Sequence, residues 1–593
     1  MKKQANNNSQ GILNYILLVL IFAGIIAVGS WLYKNEAKIN LEANLKVLHD
    51  KADLLYSQII NSDLKSWLND KPVGEVGHAA FLSLSGGKSR ARVYKGTGKT
   101  LDEAYNNAVK AVEAGLDAWP ENIKWLKADI AFDSRAINAK DLKREVKAAR
   151  HEFYRNSLAF DKDFKLALLE AELNGAKIYE YKDGGIDLDY LNNYLRKSAR
   201  SKLKALPENY ILFNTRGWLC DENNKVYSLI YDGLNYGRRD VKVDNQFARE
   251  LITKSGEFLL TQLNTDGSFI YGMYPRFDNN IKSYNILRHA GTTWALCLNY
   301  RINPSPKLKQ AIESALKYLA SQVVYKDNNT AYVNEAKAGE LKLGGIGIAV
   351  LAFTEYMDLF NNKDYLELCD KLGSGIFSMM DLESGKFVHV LNNKNFELKD
   401  AYRTVYYDGE ATFALVRLYS LTKNQKYLDA ALKSVNNFIA NNYIKYRDHW
   451  IAYSLNELLK YNNDPKIYNF ALENAFANLR EIERRDTTYH TYLELLMAAF
   501  EVYDRMLDAS LAELNKFNVK DLLNAIKARV DRQLNGYFFP EYAMYMARPD
   551  KILDTFMVRH DGYRVRIDDV QHNIGGYYLY YKNYDKLVKH GLN

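Results

Sequence analysis

Two helices and the turn between them can be read in VYYDGEATFALVRLYSLTKNQKYLDAALKSVNNFI, residues Val405 to Ile439. The segment ATFALVRLY is apolar on nearly every face, which is typical of a buried helix, whereas the helix after the Asn/Lys turn is amphipathic. The stretch therefore predicts a hairpin with an inner and an outer helix. Tyr406, Tyr407, Asp408 and Glu410 stand at the head of the inner helix.

The turn of this hairpin recurs along the chain. FNNKDYLEL, LTKNQKYLDA and YNNDPKIYNF each join an apolar helix to an amphipathic one through a polar Asn/Lys turn. Recurrence of one supersecondary unit indicates a repeat array. Over residues 244–588 the pattern predicts twelve helices, alternately inner and outer, which close into a toroid of six hairpins.

This pattern resembles the (α/α)6-barrel superfamily of six-hairpin glycosidases, polysaccharide lyases and sugar epimerases. The resemblance covers about residues 244–588 and rests on the helix order and on the Tyr-Leu-x-x-Ala turn formula. It implies a mainly α protein built on an (α/α)6 toroid, and a carbohydrate-active enzyme. One fold hosts many reactions, so the reaction has to be argued from the site.

The segment before the toroid has a different pattern. AAFLSLSGGKSRARVYKG predicts two strands joined through Gly86 and Gly87, and further strand and helix signals continue to about residue 241. We therefore predict a smaller α+β domain over 79–241, preceded by a stalk helix over 34–70. This domain is the candidate surface for docking an envelope protein.

The N-terminus predicts a membrane anchor. GILNYILLVLIFAGIIAVGSWLY, residues 11–33, carries no charge, and about 20 apolar residues span a bilayer as a helix. Lys2 and Lys3 precede it, so residues 1–10 should form a cytoplasmic tail. The rest of the chain would then lie in the periplasm or on the cell surface of a bacterium, held by one pass through the inner membrane. The alternative is a signal peptide cleaved near Ala27-Val28-Gly29, but the apolar run is longer than a usual signal core.

Composition narrows the classes of partner. The 80 basic residues are dispersed among 72 acidic ones, which argues against a nucleic-acid partner. The three cysteines are far apart, without a CxxC motif, so neither a disulfide framework nor a zinc knuckle is indicated. No HxxxH or HExxH spacing occurs, so we expect no metal and no other cofactor.

The heads of the inner helices are the predicted site. Inner helices of a closed toroid run parallel, so their N-termini, which favour anions, gather at one end of a central cavity. In RIDDVQH, residues 566–572, two acids, an amide and an imidazole are costly beside an apolar helix unless they are paired or functional. The catalytic candidates are Asp408, Glu410, Asp568, Asp569, His572 and His289. The substrate-binding candidates are Arg276, Tyr284, Arg288, Tyr406, Tyr407, His449, Trp450, Asp486, Tyr489, His490 and Gln571.

Several of these residues also have a purely structural interpretation. Asp408 and Asp486 could each cap a helix. His289 lies in an apolar helix, where a hydrogen-bonded core histidine is the commoner case. Arg276 and Arg288 could pair with neighbouring acids instead of holding an acidic sugar.

Three functions fit these residues. The leading hypothesis is hydrolysis of an envelope or extracellular polysaccharide by two carboxylates, with Asp408 or Glu410 facing Asp568 or Asp569 across the cavity. The second is epimerisation or β-elimination of a uronic acid, with histidines and tyrosines as bases and an arginine on the carboxylate. The third is a non-catalytic envelope protein that binds glycan or a partner through the toroid. A pair of facing catalytic groups would distinguish an enzyme from a binder.

Overall fold

The computed structural model describes residues 40–61, 64–149, 154–198, 200–511 and 515–592. The predicted cytoplasmic tail (1–10) and transmembrane anchor (11–33) lie outside the described residues. The chain divides into two compact units. The first comprises Met1–Asp141, Arg155–Ala171 and Tyr194–Tyr231, and the second Leu142–Tyr154, Glu172–Asn193 and Asp232–Asn593.

The first unit is built on an antiparallel sheet, with seven strands in its described part and the order β2-β1-β3-β6-β4-β5, β7 pairing with β6. The strands are β1 (His78–Ser85), β2 (Arg92–Gly98), β3 (Trp125–Asn138), β4 (Ser157–Ala159), β5 (Ala167–Leu168), β6 (Asn209–Cys220) and β7 (Val226–Ser228). The predicted hairpin through Gly86 and Gly87 is confirmed as β1 and β2. Helices Leu64–Asn69 and Leu101–Gly115 belong to this unit, whereas helices Ala139–Ala149, Glu170–Gly175 and Leu188–Lys197 each have residues assigned to both units.

The segment predicted as a stalk belongs to this core. Residues 40–60 are helical, and Leu48, Leu55 and Ile59 are fully buried in one apolar cluster with residues of β1 and β3. Burying a leucine or isoleucine side chain is worth about 1.5–3 kcal/mol. This helix therefore packs as part of the first unit instead of standing free.

The second unit contains, in the described part of residues 245–589, twelve helices of ten or more residues, as predicted. The outer helices are α1 (Asn245–Thr261), α3 (Pro306–Ser321), α5 (Leu366–Ser378), α7 (Gln425–Ala440), α9 (Pro465–Phe476) and α11 (Val519–Gln533). The inner helices are α2 (Ile286–Ile302), α4 (Leu343–Phe360), α6 (Tyr406–Thr422), α8 (His449–Leu458), α10 (Thr491–Asp508) and α12 (Ile567–Lys589). Two shorter helices in the same described stretch span Leu479–Arg484 and Pro540–Ala543.

The inner helices close a ring. Each packs against the next along the chain, and α12 packs against α2 to complete the circle. The outer helices pack against the inner ones, with α1 lying against both α12 and α2. This is the (α/α)6 architecture that the sequence predicts.

Helix α4 is the most apolar member of the ring. Among the described residues it is the one helix with the length and composition of a membrane span, and 83% of it is buried. Packing against α2 and α6 inside the ring accounts for that composition.

Short strands lead into the inner helices. One sheet joins β15 (Val565–Arg566), β8 (Gly272–Tyr274) and β9 (Asn279–Asn280), and the other runs β10-β11-β12-β13-β14. The latter strands are Val323–Tyr325, Ala331–Glu335, Glu340–Lys342, Val390–Asn392 and Leu398–Asp400. Strand β8 follows the outer helix α1, and strand β13 follows the outer helix α5. Because β12 runs directly into α4 and β15 into α12, the strands set where these helix heads lie.

Candidate active site

A cavity of about 580 Å³ lies at the heads of the inner helices. All six inner helices contribute to its lining, as does the loop from Val558 to Arg566. Eleven of the predicted residues line it: Arg288, Tyr406, Tyr407, Glu410, His449, Trp450, Tyr489, His490, Asp568, Gln571 and His572. Six predicted residues are not among the lining residues: Arg276, Tyr284, His289, Asp408, Asp486 and Asp569.

Glu410 is a buried acid on the first turns of α6. Its Oε2 has no hydrogen-bond partner among the described residues. Burial raises the pKa of this carboxyl well above its usual range; Asp448 and Asp408 add to the effect and Arg288 opposes it. Burial therefore favours the protonated, neutral form of Glu410, and the side chain faces the cavity.

The two acids at the head of α12 have different surroundings. Asp568 lines the cavity and pairs with Arg288 Nε at 3.0 Å and with an Arg566 nitrogen at 3.2 Å. Arg566 donates a hydrogen bond to each carboxylate oxygen of Asp569, at 2.8 and 3.1 Å. Burial and the neighbouring Asp569 raise the pKa of Asp568. Burial also acts on Asp569, but the bonds from Arg566 outweigh it and lower the pKa of that carboxyl. Asp569 is thus held as the structural partner of an arginine.

Three histidines from three helix heads meet in the cavity. The rings of His449 and His572 have their centroids 4.9 Å apart, and His490 stacks on His572 at 5.0 Å. Burial and the neighbouring imidazoles lower the pKa of His490 to about 3 and that of His449 well below its usual range. Burial likewise lowers the pKa of His572 to about 4. All three rings are neutral at pH 7, so each has a nitrogen lone pair.

Glu494 supports this cluster from α10 and was not predicted. It is fully buried; its Oε2 lies 2.8 Å from Nδ1 of His572, and its Oε1 accepts a hydrogen bond from the Tyr453 hydroxyl at 3.1 Å. Burial raises its pKa well above the usual range. The available signal was a glutamate inside the apolar run TYLELLMAAF, since a buried carboxyl needs partners.

Aromatic rings line the cavity beside the histidines. Tyr406 and Tyr489 join their hydroxyls at 3.2 Å, and Trp450 lies beside His449 with ring centroids 4.9 Å apart. Rings with polar edges suit the apolar faces and hydroxyls of a sugar.

The prediction that Asp408 caps its helix is wrong. Helix α6 begins two residues earlier, at Tyr406, and Asp408 makes no cap bond. Its carboxylate instead accepts from Nε2 of His389 at 2.8 Å and from the Tyr443 hydroxyl at 2.9 Å. Nδ1 of His389 accepts a hydrogen bond from the backbone N–H of Arg403, so Asp408 stabilises the loop before α6.

Other predicted residues lie elsewhere. His289 is a bonded core histidine: Nδ1 lies 2.7 Å from the Tyr284 hydroxyl and Nε2 lies 2.9 Å from the Ala315 carbonyl. Tyr284 lines a separate pocket of about 450 Å³. Arg276 stacks over Tyr563. Asp486 is exposed and does not cap α10, which begins at Thr491 without a side-chain cap.

Comparison with known proteins adds a likeness in fold. No family model matches the chain, and no curated protein does. Among solved structures it is similar to cellobiose 2-epimerase from Bacillus thermoamylovorans, at 14% identity and a TM-score of 0.45 over 57% of this chain and 100% of that one. It is also similar to a D-mannose isomerase, at 12% identity and a TM-score of 0.44 over 57% of this chain and 97% of that one. An α-1,6-mannanase from Salegentibacter sp. matches at 11% identity and a TM-score of 0.31 over 56% of this chain and 98% of that one. The fold assignment rests on the closed ring of helices, and the chemistry has to be argued from the cavity.

Proposed function

We propose that the protein is a carbohydrate-active enzyme that moves a proton to and from a carbon atom of a saccharide, as a sugar epimerase or isomerase does. The observation that carries this proposal is the contact of three neutral imidazoles, from His449, His490 and His572, inside one cavity. Neutral imidazole both accepts and returns protons, and histidine is the commonest general acid–base group.

His490 is the residue that we assign as the proton acceptor. Its ring lines the cavity and stacks on His572. Burial and the neighbouring His572 disfavour the imidazolium that forms when His490 takes a proton, and the charge of Asp569 offsets part of this effect. The imidazolium then returns the proton to the planar intermediate, at the neighbouring carbon as in an isomerase, or at the same carbon after the intermediate has rotated as in an epimerase.

The remaining lining fits a saccharide whose reacting carbon is next to a carbonyl or carboxylate. Arg288 provides a positive charge for the oxygen atoms at that centre, and protonated Glu410 can donate to an oxygen on which charge develops. Trp450, Tyr406 and Tyr489 offer faces and edges for the sugar ring. The cavity volume falls within the range of small-molecule sites.

Glycoside hydrolysis is the second candidate, and Glu410 is the observation in its favour. A glycosidase needs one protonated carboxyl and one ionised carboxylate at the scissile bond. Glu410 has the raised pKa of the acid, and Asp568 is the other carboxyl of the cavity lining. Oδ2 of Asp568 already pairs with Arg288 and Arg566, so these two arginines compete with a saccharide or a water molecule for that oxygen.

One assay separates these reactions. Purified full-length protein is incubated in D₂O with neutral and acidic mono- and oligosaccharides, and ¹H NMR follows the sugar signals. Proton transfer predicts the loss of one C–H signal by deuterium exchange and the appearance of an isomer of unchanged chain length. New reducing ends without exchange would support hydrolysis, and an unsaturated, UV-absorbing product would support a lyase. Saccharide binding without any reaction would support a non-catalytic binder and contradict the proposal.

We also propose that the enzyme works outside the cytoplasm on an envelope or extracellular polysaccharide, anchored through residues 11–33. The uncharged apolar run after Lys2 and Lys3 supports this. In this arrangement residues 79–241 could dock an envelope protein. Spheroplasts, in which the outer membrane has been opened, should lose the ectodomain to added protease, and deletion of residues 1–33 should keep the protein in the cytosol. A protein that resists the protease in spheroplasts until the inner membrane is lysed would contradict the proposed side of the membrane.

A further inference from the structure

The histidine cluster contains a set of ligand atoms besides His490, the residue assigned as the proton acceptor. His449, Glu494 and His572 each offer one nitrogen or oxygen, and these atoms lie within 4.8 Å of one another. Nε2 of His449 is 3.7 Å from Oε2 of Glu494, and Nδ1 of His572 is 2.8 Å from the same oxygen. The three residues come from α8, α10 and α12, so rigid ring helices hold them.

Two of these residues, His449 and Glu494, are buried without the hydrogen bonds or the charged partners, respectively, that such groups usually have. His449 is 2% exposed, and neither of its ring nitrogens has a hydrogen-bond partner among the described residues. Glu494 is fully buried, and within the described chain its ion-pair partners are histidines, without a lysine or arginine. Buried polar groups are normally hydrogen-bonded, and buried charges are paired or bind metals.

A supporting shell surrounds the same atoms. Oδ1 of Asp448 accepts a hydrogen bond from the Trp450 N–H at 2.8 Å and lies 3.7 Å from Nδ1 of His449, near that nitrogen but not hydrogen-bonded to it. The Tyr453 hydroxyl donates to Oε1 of Glu494 and leaves Oε2 for a second partner. Metal-binding histidines usually pair their other nitrogen with a carboxylate or carbonyl, and metal-binding carboxylates are themselves hydrogen-bonded.

We propose that His449, Glu494 and His572 bind one divalent transition-metal ion of the zinc type. Two imidazoles and one carboxylate are a ligand set of catalytic zinc sites, in which a further position stays open for water or substrate. Here that position would face the cavity, because His449 and His572 line it. The inference rests on the proposed function and deepens it: the ion would hold a carbonyl or hydroxyl oxygen of the saccharide, while His490 remains the proton acceptor.

The test is metal binding itself, measured without substrate. Full-length protein is freed of metal with a chelator and titrated with Zn²⁺ and with Co²⁺. We expect calorimetry to show that one Zn²⁺ ion binds per chain. With Co²⁺ we expect the visible absorption bands of a four- or five-coordinate site.

The variants are His449→Ala and Glu494→Gln, and each should weaken binding by at least about tenfold. The matched control is His590→Ala. His590 also pairs with a carboxylate of α10, Asp504 at 3.3 Å, but at the other end of the ring. The control should bind like the wild type. Thermal unfolding without metal identifies any variant that fails to fold, and Glu494→Gln preserves the size of the side chain.

Binding that is absent in the wild type, or unchanged in both site variants, would overturn the metal site. Deuterium exchange, measured on metal-free and metal-loaded protein, keeps the two proposals apart. If the protein catalyses exchange but binds no metal, the proposed function is supported and the metal site is refuted. If the protein binds metal but exchanges no C–H of any saccharide tested, the metal site is supported and the proposed function is refuted.

Discussion

Replacing Gly344 with alanine tests how closely α4 and α6 approach at the cavity. A Cβ atom built at Gly344 would lie 1.9 Å from Oε2 of Glu410 and 2.4 Å from Cδ1 of Tyr407. Both side chains are buried, so they must move together. The next residue is a matched control, because a Cβ at Gly345 meets nothing closer than Lys342 Cβ at 3.8 Å.

The two substitutions should change the free energy of unfolding in opposite directions. Alanine is favoured over glycine inside a helix by up to about 1 kcal/mol, and both variants have that gain. Overpacking in a well-packed region costs about 1–3 kcal/mol, and only Gly344→Ala incurs it. The free energy of unfolding should therefore be about 1–3 kcal/mol lower for Gly344→Ala than for Gly345→Ala. Gly345→Ala should be as stable as the wild type or more so.

Urea unfolding, followed by tryptophan fluorescence at pH 7, measures this difference. Gly344→Ala should also lose activity on the saccharide that the panel identifies, since Glu410 leaves its position, while Gly345→Ala keeps it. Equal stability of the two variants, together with full activity of Gly344→Ala, would refute the described packing of Glu410 against α4.

Further predictions concern neighbouring residues and pH. Asp408→Ala should lower the free energy of unfolding by about 1–3 kcal/mol, because it leaves a buried N–H of His389 without an acceptor. Glu410→Gln, two residues further on, should unfold like the wild type but lose about 10²–10⁴ in rate as a general acid; full activity would contradict its role. Burial lowers the pKa of His289 to about 4, although its bond to Ala315 opposes the shift; Tyr284, Tyr318 and Asp266 are the titratable groups around it. Since the folded pKa lies below the unfolded value, the stability from His289 is complete above about pH 6.5 and is lost as pH falls towards 4. The stability advantage of the wild type over His289→Gln should therefore shrink by about 2 kcal/mol between pH 7 and pH 5 in urea titrations. An advantage that does not change with pH would show that this ring does not titrate as described.

The ring of helices could be predicted because its signals are local. An apolar helix such as ATFALVRLY shows its burial within three turns, and each polar turn of the LTKNQKYLDA type marks one hairpin. Parallel inner helices then bring their heads to one end, which predicts Glu410, His490 and His572 around one cavity. These inferences need only periodicity and connection length.

The partners of the site residues could not be predicted, because they come from distant parts of the chain. Asp408 looks like a helix cap in the sequence DGE, but its carboxylate accepts a hydrogen bond from His389, which lies 19 residues earlier in the chain. Glu494 reads as one glutamate in an apolar helix, and the histidine that it contacts is 78 residues later. The potential metal ligands come from three helices, so no HxxxH or HExxH spacing could reveal them. Only the closure of the ring brings these groups together.

Deuterium exchange at a sugar carbon is the most direct test of the central claim, that the histidines at the inner helix heads form a proton-transfer site. The wild type and Gly345→Ala should exchange one C–H of a saccharide in D₂O at the same rate. His490→Gln should exchange it at least about 100-fold more slowly. Exchange by His490→Gln at the wild-type rate would show that the proton moves through another group, and the account of this cavity would be wrong.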